Sequence, residues 1–385
     1  MNPSLVTPLD FNRISANTEF GYQAGDFKSV AHLFDRQIQK GLHPGAQLVV
    51  LQNGKVVIDR YGGFTGFDRK VKLTPHTRFL TFSITKVVTA ACILKLHDHG
   101  FLDIDKPVAS YWPEFSSKGK EAVTVRQVLL HQSGFSNKRI VNQMLHITNW
   151  QKLTRDIAGQ KPEFEPGSKS VYQLLNFGFI LGELVNRITG IPIDQYLSEQ
   201  FIAPMGLDDT SMRYRYEDQQ LNAELSSSTL QDKILVRAFN SKKVRKALIP
   251  AASLYSTARD LAVFFQMLLN YGRYGDIQYL ENETVSSATS LNFEGYDHSL
   301  GRIIRFGQGF FLGGEHQLHS ELPDGMGKGS SRDTFGHYGQ RTSVVWADRR
   351  TQTVMAFLCN RALSSFAYKS RLKELSDAVW DIVDN

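Results

Sequence analysis

The sequence predicts an α/β protein of the α+β kind, in which an antiparallel sheet flanked by helices is interrupted by an inserted all-helical domain. Three observations lead to this fold class. The chain opens with a helix pattern and a hairpin pattern, it closes with strand-like runs and an amphipathic helix, and the segment between is rich in helical periodicity. We therefore expect a sheet domain from residues 25–100 and 251–385, a helical insertion at 101–250, and a loose N-terminal arm at 1–24.

The opening elements are predicted from periodicity and turn chemistry. The run FKSVAHLFDRQIQK at 27–40 repeats apolar residues at helical spacing. Two β-rich runs then flank Asn53-Gly54, a dipeptide that favours the type I′ turn of a two-residue hairpin. The run VVTAACILKLHDHG at 87–100 is apolar almost all round, which is typical of a buried central helix.

The closing elements are predicted in the same way. The run ASLYSTARDLAVFFQMLLNYG at 252–272 predicts a helix capped by Ser256 or Thr257. Strand-like runs follow, namely GQGFFLGG, SVVWADRR and TVMAFLCN, and the first two flank a Gly-rich loop at 313–339. An amphipathic helix, YKSRLKELSDAVWDIV, closes the sheet domain.

Composition excludes several classes of function. The net charge of +6 is mild for 385 residues, and the densest basic cluster, SKKVRK at 241–246, favours a solvated loop over a patch for anionic partners. No zinc-finger, RNA-binding or basic-zipper pattern is present, so no nucleic-acid partner is expected. No run approaches about 18 unbroken apolar residues, so no transmembrane segment is expected.

The cellular compartment and the thiol chemistry are expectations of the same kind. The start MNPSLVTPLDFNRIS lacks a basic segment followed by an apolar core, so we expect a cytoplasmic protein, or a periplasmic one if a signal has been removed. Cys92 and Cys359 each lie in an apolar run, which predicts buried free thiols.

Two runs each contain two histidines, but neither has the ligand pattern of a metal site. In HDHG at 97–100 the two histidines are two residues apart on a helix and point to different faces. The run EHQLHSE at 315–321 lacks the pattern of a third ligand and is predicted to be a surface loop. We expect no metal site.

Ser83 and Lys86 open the apolar helix in the stretch LTFSITKV. Residues three apart on a helix share a face about 5–6 Å apart. A serine hydroxyl needs a base to become a nucleophile, and a lysine can be that base when burial lowers its pKa from about 10.4. A helix cap beside a lysine that reaches solvent is the alternative interpretation. The buried helix behind the pair favours catalysis, and the N–H of Ser83 can help to hold an oxyanion.

The segments around this pair resemble the serine β-lactamase-like superfamily, closest in motif style to family VIII carboxylesterases and class C β-lactamases. The matching segments run in family order over about residues 27–383: FSITKVVTAACILKLHDHGFLDIDKPVASYWPEF, TVRQVLLHQSGF, FEPGSKSVYQLLNFGFILGELVNRITG, SLYSTARDLAVFFQML and FGHYGQRTSVVWADRRTQTVMAFLCNR. This superfamily also includes penicillin-binding proteins. The resemblance implies the fold of the superfamily and an acyl-enzyme mechanism without a cofactor.

The resemblance also implies roles for the first two motifs. Ser83 matches the nucleophile that accepts the acyl group, and Lys86 matches the lysine of the first motif. Tyr172, in SVYQLLN, matches the tyrosine of the second motif. A tyrosine beside a lysine can pass a proton between the nucleophile and the leaving group.

The third motif is matched by the sequence HYGQ. His337 stands where the superfamily has Lys or His before x-Gly, and it can bond a substrate carboxylate or the tyrosine hydroxyl. Gly339 is expected to let the strand approach the substrate closely. Gln340 follows, where the superfamily uses a backbone N–H as the second oxyanion donor.

One departure bears on the substrate. The second motif commonly reads Tyr-x-Asn, but here Tyr172 is followed by Gln173 and Leu174. Either Asn176 supplies the amide from a shifted register, or the amide is absent. This departure and the histidine of the third motif fit esterases better than typical β-lactamases.

The expected function is therefore that of a serine hydrolase that forms an acyl-enzyme at Ser83. The favoured activity is a carboxylesterase for short acyl esters with slow β-lactam cleavage, and the partner is a small-molecule ester or amide. A β-lactamase, a D-amino-acid peptidase and an acyltransferase of the same superfamily remain open, as does the oligomeric state. A non-catalytic peptidoglycan-binding or scaffold relative is the alternative of a different class, and the intact motifs argue against it.

Overall fold

The structure is a computed structural model, and it describes residues 8–11, 21–314, 325–363 and 365–384. The run at 315–321 that was considered as a metal site lies outside the described residues. The strands are β1 (Tyr22–Gln23), β2 (Gly45–Gln52), β3 (Lys55–Gly63), β4 (Phe79–Leu80), β5 (Ser226–Ser227), β6 (Tyr255–Ser256), β7 (Arg273–Tyr274), β8 (Ile277–Gln278), β9 (Phe293–Asp297), β10 (Arg302–Phe306), β11 (Phe311–Leu312), β12 (Thr334–Gly339), β13 (Ser343–Asp348), β14 (Thr353–Cys359) and β15 (Arg361–Ala362).

The α-helices lie between these strands and at the end of the chain, and α2 to α8 follow one another between β4 and β5. They are α1 (Lys28–Gln39), α2 (Thr85–Asp98), α3 (Val125–Leu129), α4 (Ile140–Leu145), α5 (Trp150–Ala158), α6 (Asn176–Thr189), α7 (Ile193–Leu197), α8 (Ala203–Met205), α9 (Leu230–Asn240), α10 (Lys242–Arg245), α11 (Ala258–Leu269), α12 (Asn282–Ala288) and α13 (Ser365–Val383). Within residues 101–250, the predicted insertion, the elements are α3 to α10, short 3-10 and π turns and the two-residue strand β5. Among the described residues, no helix combines the length and hydropathy that a membrane crossing requires.

An antiparallel sheet forms the centre of the protein, which confirms the predicted fold class. Across the described residues its strand order is β1-β3-β2-β14-β13-β12-β11-β10-β9. The hairpin β2–β3 from the start of the chain pairs with β14 from its end. Asn53 and Gly54 both have a positive φ, as the predicted type I′ turn requires. The strands from the two ends of the chain therefore meet in the middle of one sheet.

Successive side chains of the sheet point to opposite faces and pack into two hydrophobic layers, one on each face. Met355 and Phe357 of β14 pack in a cluster with apolar residues of α1 and α13. Val354 and Ala356 belong to a larger cluster on the opposite face, which contains α2, α6 and α11. Nearly every residue of α2 is buried, which confirms the prediction of a central helix. Cys92 and Cys359 are buried and free, also as predicted.

Several local expectations were wrong. The described part of the arm is packed, because Tyr22–Gln23 pairs with the open edge of β3 and the Leu9 N–H donates to the Tyr274 hydroxyl. The three lysines of the SKKVRK cluster are exposed, but the cluster forms the short helix α10, which the Ser241 hydroxyl caps by accepting the N–H of Val244.

The Gly-rich segment at 313–339 also differs from the expected loop, because it contains strand β12. Long-range pairing with β11 and β13 stabilises this strand. The glycines of the segment weaken the strand pattern in the sequence, so the strand was not predicted. The strands β9 and β10 were not predicted either. The division of the chain into a sheet domain and a helical domain remains a prediction.

Candidate active site

Ser83 lies in a 3-10 turn, Phe82–Ile84, that leads directly into α2. Phe82 has a φ of 49°, a left-handed conformation that is unfavourable for a bulky residue. The Thr85 hydroxyl holds this turn by donating to the Phe82 carbonyl at 2.5 Å and accepting the Leu254 N–H at 3.0 Å. The turn is therefore stabilised by contacts that place the Ser83 hydroxyl at the start of a buried helix.

Lys86 is fully buried one helical turn after Ser83. Its Nζ donates to Ser83 Oγ at 3.1 Å, to the Ala251 carbonyl at 3.2 Å and to the Leu174 carbonyl at 3.4 Å. Burial lowers the pKa of Lys86 to about 7. A large fraction of Lys86 is therefore neutral near pH 7 and can accept the proton of Ser83.

Tyr172 comes from a distant segment and lies beside the Ser–Lys pair. Its hydroxyl is 3.4 Å from His337 Nε2, and Lys86 Nζ lies 4.9 Å from its ring centroid. Burial raises the pKa of Tyr172, and a hydrogen bond from the Ser83 side chain offsets part of this effect. Tyr172 therefore stays protonated near neutral pH and is suited to donate a proton.

His337 is buried on β12 against Tyr172. Its Nδ1 lies 2.9 Å from both the nitrogen and the carbonyl oxygen of Tyr338. Burial and then the charge of Lys86 lower the pKa of His337 to about 3. Of the two roles considered for this residue, the geometry supports the contact with the Tyr172 hydroxyl. A neutral buried imidazole is a poor anchor for a substrate carboxylate.

Gly339 ends β12 in close contact with the segment that carries the nucleophile. A Cβ at this position would lie 2.1 Å from the Thr81 carbonyl oxygen and 2.2 Å from Ser343 Oγ. Glycine is therefore required by the protein backbone itself, in addition to any approach of substrate. Gln340 is the next residue and is exposed. Its backbone N–H as an oxyanion donor stays a prediction that this proximity supports.

Asn176 is the first residue of α6 and is buried. Its Oδ1 accepts a hydrogen bond from Gln143 Nε2 on α4. Gln173 is turned away and donates to Ser133 Oγ at 2.6 Å. The residue two positions after Tyr172 is Leu174, whose apolar side chain is 38% exposed. Whether Asn176 replaces the amide of the second motif stays a prediction.

Three side chains that the sequence analysis did not assign hold the backbone around Tyr172. Asp297 is fully buried at the end of β9, and its Oδ2 accepts the Tyr172 N–H at 2.8 Å. Asn137 donates to the Tyr172 carbonyl and accepts the Leu174 N–H, both at 2.8 Å. His131 Nδ1 accepts the Gln173 N–H at 3.1 Å. We call His131, Asn137 and Asp297 the Tyr172 support.

The sequence offered an uneven signal for these three residues. His131 lies in the segment HQSG, whose resemblance to the superfamily was noted without a role. Its ring lies 4.5 Å from the Tyr172 ring, and burial and then the charge of Lys86 lower its pKa well below the usual value. Asp297 follows Tyr172 by more than a hundred residues and carries no local pattern. Only the long-range bridge between Ser170 and Asp297 brings it to the site.

Comparisons with known proteins identify the family of the chain. The Beta-lactamase family model matches residues 30–378. The chain is 27% identical over 379 residues to the esterase/beta-lactamase LipL of Mycobacterium tuberculosis, covering 90% of this chain and 83% of LipL.

Two solved structures have the same fold. A penicillin-binding protein homologue from Caulobacter crescentus superposes with a TM-score of 0.79 at 26% identity, covering 94% of this chain and 98% of the homologue. A family VIII carboxylesterase superposes with a TM-score of 0.79 at 27% identity, covering 92% of this chain and 97% of the carboxylesterase. The family match spans most of the chain, and the chain therefore belongs to the beta-lactamase family of serine hydrolases.

Proposed function

We propose that the protein is a carboxylesterase that hydrolyses short-chain acyl esters through an acyl-enzyme at Ser83. The observation that carries this proposal is the 3.1 Å contact between Ser83 Oγ and a buried Lys86 whose pKa is about 7. The pair supplies a nucleophile and a neutral base in one helical turn. Tyr172 adds a protonated hydroxyl beside the serine.

The proposed acylation uses each group once. Ser83 Oγ bonds to the ester carbonyl carbon while Lys86 takes the hydroxyl proton. The backbone N–H groups of Ser83 and Gln340 hold the oxyanion. Tyr172 gives its proton to the departing alcohol oxygen and regains one from Lys86. Water then attacks the acyl-enzyme, the same groups return a proton to Ser83, and the acid leaves.

Three features favour an uncharged ester over a peptide or lactam that carries a carboxylate and an amide. His337 is neutral, so the third motif offers no cation. Arg341, the cation that follows the motif, is already paired with Asp232. The apolar Leu174 stands where an amide would bind a peptide or lactam amide. Slow β-lactam cleavage is the proposed side activity, in line with the similarity to the esterase/beta-lactamase LipL.

The test compares wild type, Ser83→Ala and Ser290→Ala, which removes an exposed hydroxyl after α12. We expect wild type and Ser290→Ala to hydrolyse p-nitrophenyl acetate and butyrate much faster than nitrocefin or D-Ala-p-nitroanilide. Ser83→Ala should lose ester turnover and labelling by a fluorophosphonate, read by peptide mass spectrometry. Turnover that survives in Ser83→Ala, or a preference for D-Ala-p-nitroanilide, would contradict the proposal.

A further inference from the structure

Two helices beside the site each display an exposed pair of aliphatic residues four positions apart. On α9, Leu230 and Ile234 are 79% and 78% exposed. On α4, Val141 and Leu145 are 70% and 62% exposed. Residues at this spacing lie on one face of a helix, so each helix presents an apolar stripe to solvent. Single exposed apolar residues are ordinary on a protein surface, but paired stripes on neighbouring helices indicate an interaction surface.

The two helices are joined to each other through α10. Lys243 Nζ donates to the Leu145 carbonyl at 2.8 Å, which ties α10 to the end of α4. The helix α10 follows α9 after one residue. The helices α4, α10 and α9 are therefore connected in this order.

Both helices also contact the elements of the active site. The Phe239 ring on α9 lies 4.9 Å from the ring of Phe82, the residue before the nucleophile. Asp232 on the same helix pairs with Arg341, next to the predicted oxyanion donor. Gln143 on α4 holds Asn176. The helices that carry the aliphatic stripes thus flank the candidate active site.

Basic residues surround these stripes. The exposed cations of this region are Lys138 and Arg139 before α4, Lys233 and Arg237 on α9, and Lys242, Lys243 and Lys246 at α10. Residues 137–146 contain no acid, and the only acid in 229–247 is Asp232, which is buried and paired. Glu163 neutralises Lys138 at 3.3 Å. The segments 137–146 and 229–247 therefore each carry a net positive charge.

We propose that α4, α9 and α10 form a docking surface for an anionic lipid bilayer, with the aliphatic stripes entering the interface and the cations contacting lipid head groups. Helices that lie on membranes combine an apolar face with flanking Lys and Arg residues. Each cation near an anionic leaflet strengthens adsorption, and the long stems of Lys and Arg can accompany the aliphatic residues. With the proposed function, this surface makes membrane-held esters the substrates of the Ser83 site.

Other occupants of the surface fit less well. A second copy of the chain would bring two positive faces together, and like charges across an interface oppose association. A hydrophilic polyanion would neutralise the cations but leave four aliphatic side chains exposed to water. An anionic bilayer satisfies both features at once.

The test measures co-sedimentation of the full chain with vesicles. The Ser83→Ala protein is used, so that binding is separated from hydrolysis. Vesicles of phosphatidylcholine alone are compared with vesicles of phosphatidylcholine and phosphatidylglycerol in equal parts. We expect binding to the anionic vesicles only, weakened by added salt because salt screens exposed charges.

Two variants and one matched control define the surface. Leu230→Ser/Ile234→Ser should lower the partition coefficient at least about tenfold, because both side chains lose their apolar transfer free energy. Lys233→Gln/Arg237→Gln should lower it by up to about fivefold per charge. The control Phe101→Ser/Ile277→Ser removes exposed apolar residues beyond the far end of α2 and should bind like the parent.

Equal binding to both kinds of vesicle, no effect of the α9 variants, or dimerisation through α9 without vesicle binding would overturn the docking surface. Turnover of soluble p-nitrophenyl acetate by the same variants in the Ser83 background separates this proposal from the proposed function. Ester turnover without vesicle binding removes only the docking surface. Vesicle binding without ester turnover removes only the esterase.

Discussion

The two sides of the active site are built in opposite ways. Ser83 and Lys86 lie three residues apart, in a 3-10 turn and the first turn of α2, so their 3.1 Å contact joins near neighbours in the sequence. Tyr172 and His337 are separated by 165 positions and meet only because the sheet and the helical segment pack together. The first side depends on one buried helix, whereas the second depends on the Tyr172 support. A change on the helical side should abolish chemistry, and a change in the support should impair only proton delivery.

The largest expected effect follows from Lys86→Met, which breaks the helical side. The variant keeps a side chain of similar length but has no base for Ser83. We expect kcat/KM for p-nitrophenyl butyrate to fall by about 10³-fold or more, since general-base catalysis contributes about 10²–10⁴-fold. Stopped-flow detection of p-nitrophenol measures it, with Lys95→Met on the same helix as the control. A fall of less than about tenfold would show that Lys86 is not the base.

The pH dependence of the wild type gives the next largest effect. Lys86 must be neutral to accept a proton, and its pKa is about 7. The value of kcat/KM should therefore fall tenfold per pH unit below pH 7, to about a hundredth of its plateau at pH 5. His337 should add no limb near pH 6.5, because its pKa is about 3. A profile that is flat between pH 5 and 8 would contradict a lysine base.

A smaller effect is expected from Asp297→Asn, which weakens the support of Tyr172 without touching the nucleophile. Asp297 accepts two N–H groups at 2.9 Å on Oδ1, and the Tyr172 N–H and the Ser170 hydroxyl on Oδ2. An amide places its NH₂ group against one of these donor pairs. We expect a loss of roughly 10–100-fold in kcat for an alkyl ester, because a misplaced Tyr172 protonates the alcohol poorly.

The leaving group distinguishes this positioning role from a general loss of folding. A p-nitrophenolate leaves without a proton. Neither Asp297→Asn nor Tyr172→Phe should therefore affect acylation by p-nitrophenyl esters by much. Asp105→Asn, which alters an exposed acid paired with Arg126, is the matched control. Equal losses for both classes of ester would argue for a structural role of Asp297 instead.

The smallest effect concerns stability and also arises from Lys86. The folded-state pKa of about 7 lies below the ordinary value of 10.5, so between these values the unfolded chain binds a proton that the folded chain does not. The cost of burying Lys86 is therefore greatest below pH 7 and disappears above about pH 10.5.

Lys86→Met should then raise the free energy of unfolding at pH 6 by about 1–2 kcal/mol. The upper limit of this gain is about 5 kcal/mol, because the pKa of Lys86 falls from 10.5 to about 7 and one pKa unit corresponds to about 1.4 kcal/mol. The variant also loses the hydrogen bonds of Nζ, which reduces the gain. Urea unfolding at pH 6 and pH 9 measures this difference. A gain that grows with pH would show that Lys86 is charged in the folded protein.

The same contrast between local and long-range contacts explains how far prediction from sequence reached. The hairpin at Asn53-Gly54 and the central helix α2 were predicted because turn chemistry and hydrophobic periodicity act over a few residues. The helix α9 and the strand β12 were missed, because polar residues and glycines weakened the local pattern. Both elements are stabilised by tertiary partners, Phe82 and Arg341 for α9 and the neighbouring strands for β12.

By itself the sequence predicted the fold class, the family and the Ser83–Lys86 pair, since these predictions rest on short-range periodicity and on motif order. Only the tertiary structure decided the protonation of the site, because burial sets the pKa of Lys86 near 7 and keeps Tyr172 and His337 neutral. It also decided how Tyr172 is held, since Asp297 reaches it only through a bridge between distant segments. Desolvation and long-range pairing are properties of the packed chain, and neighbouring residues in the sequence do not encode them locally.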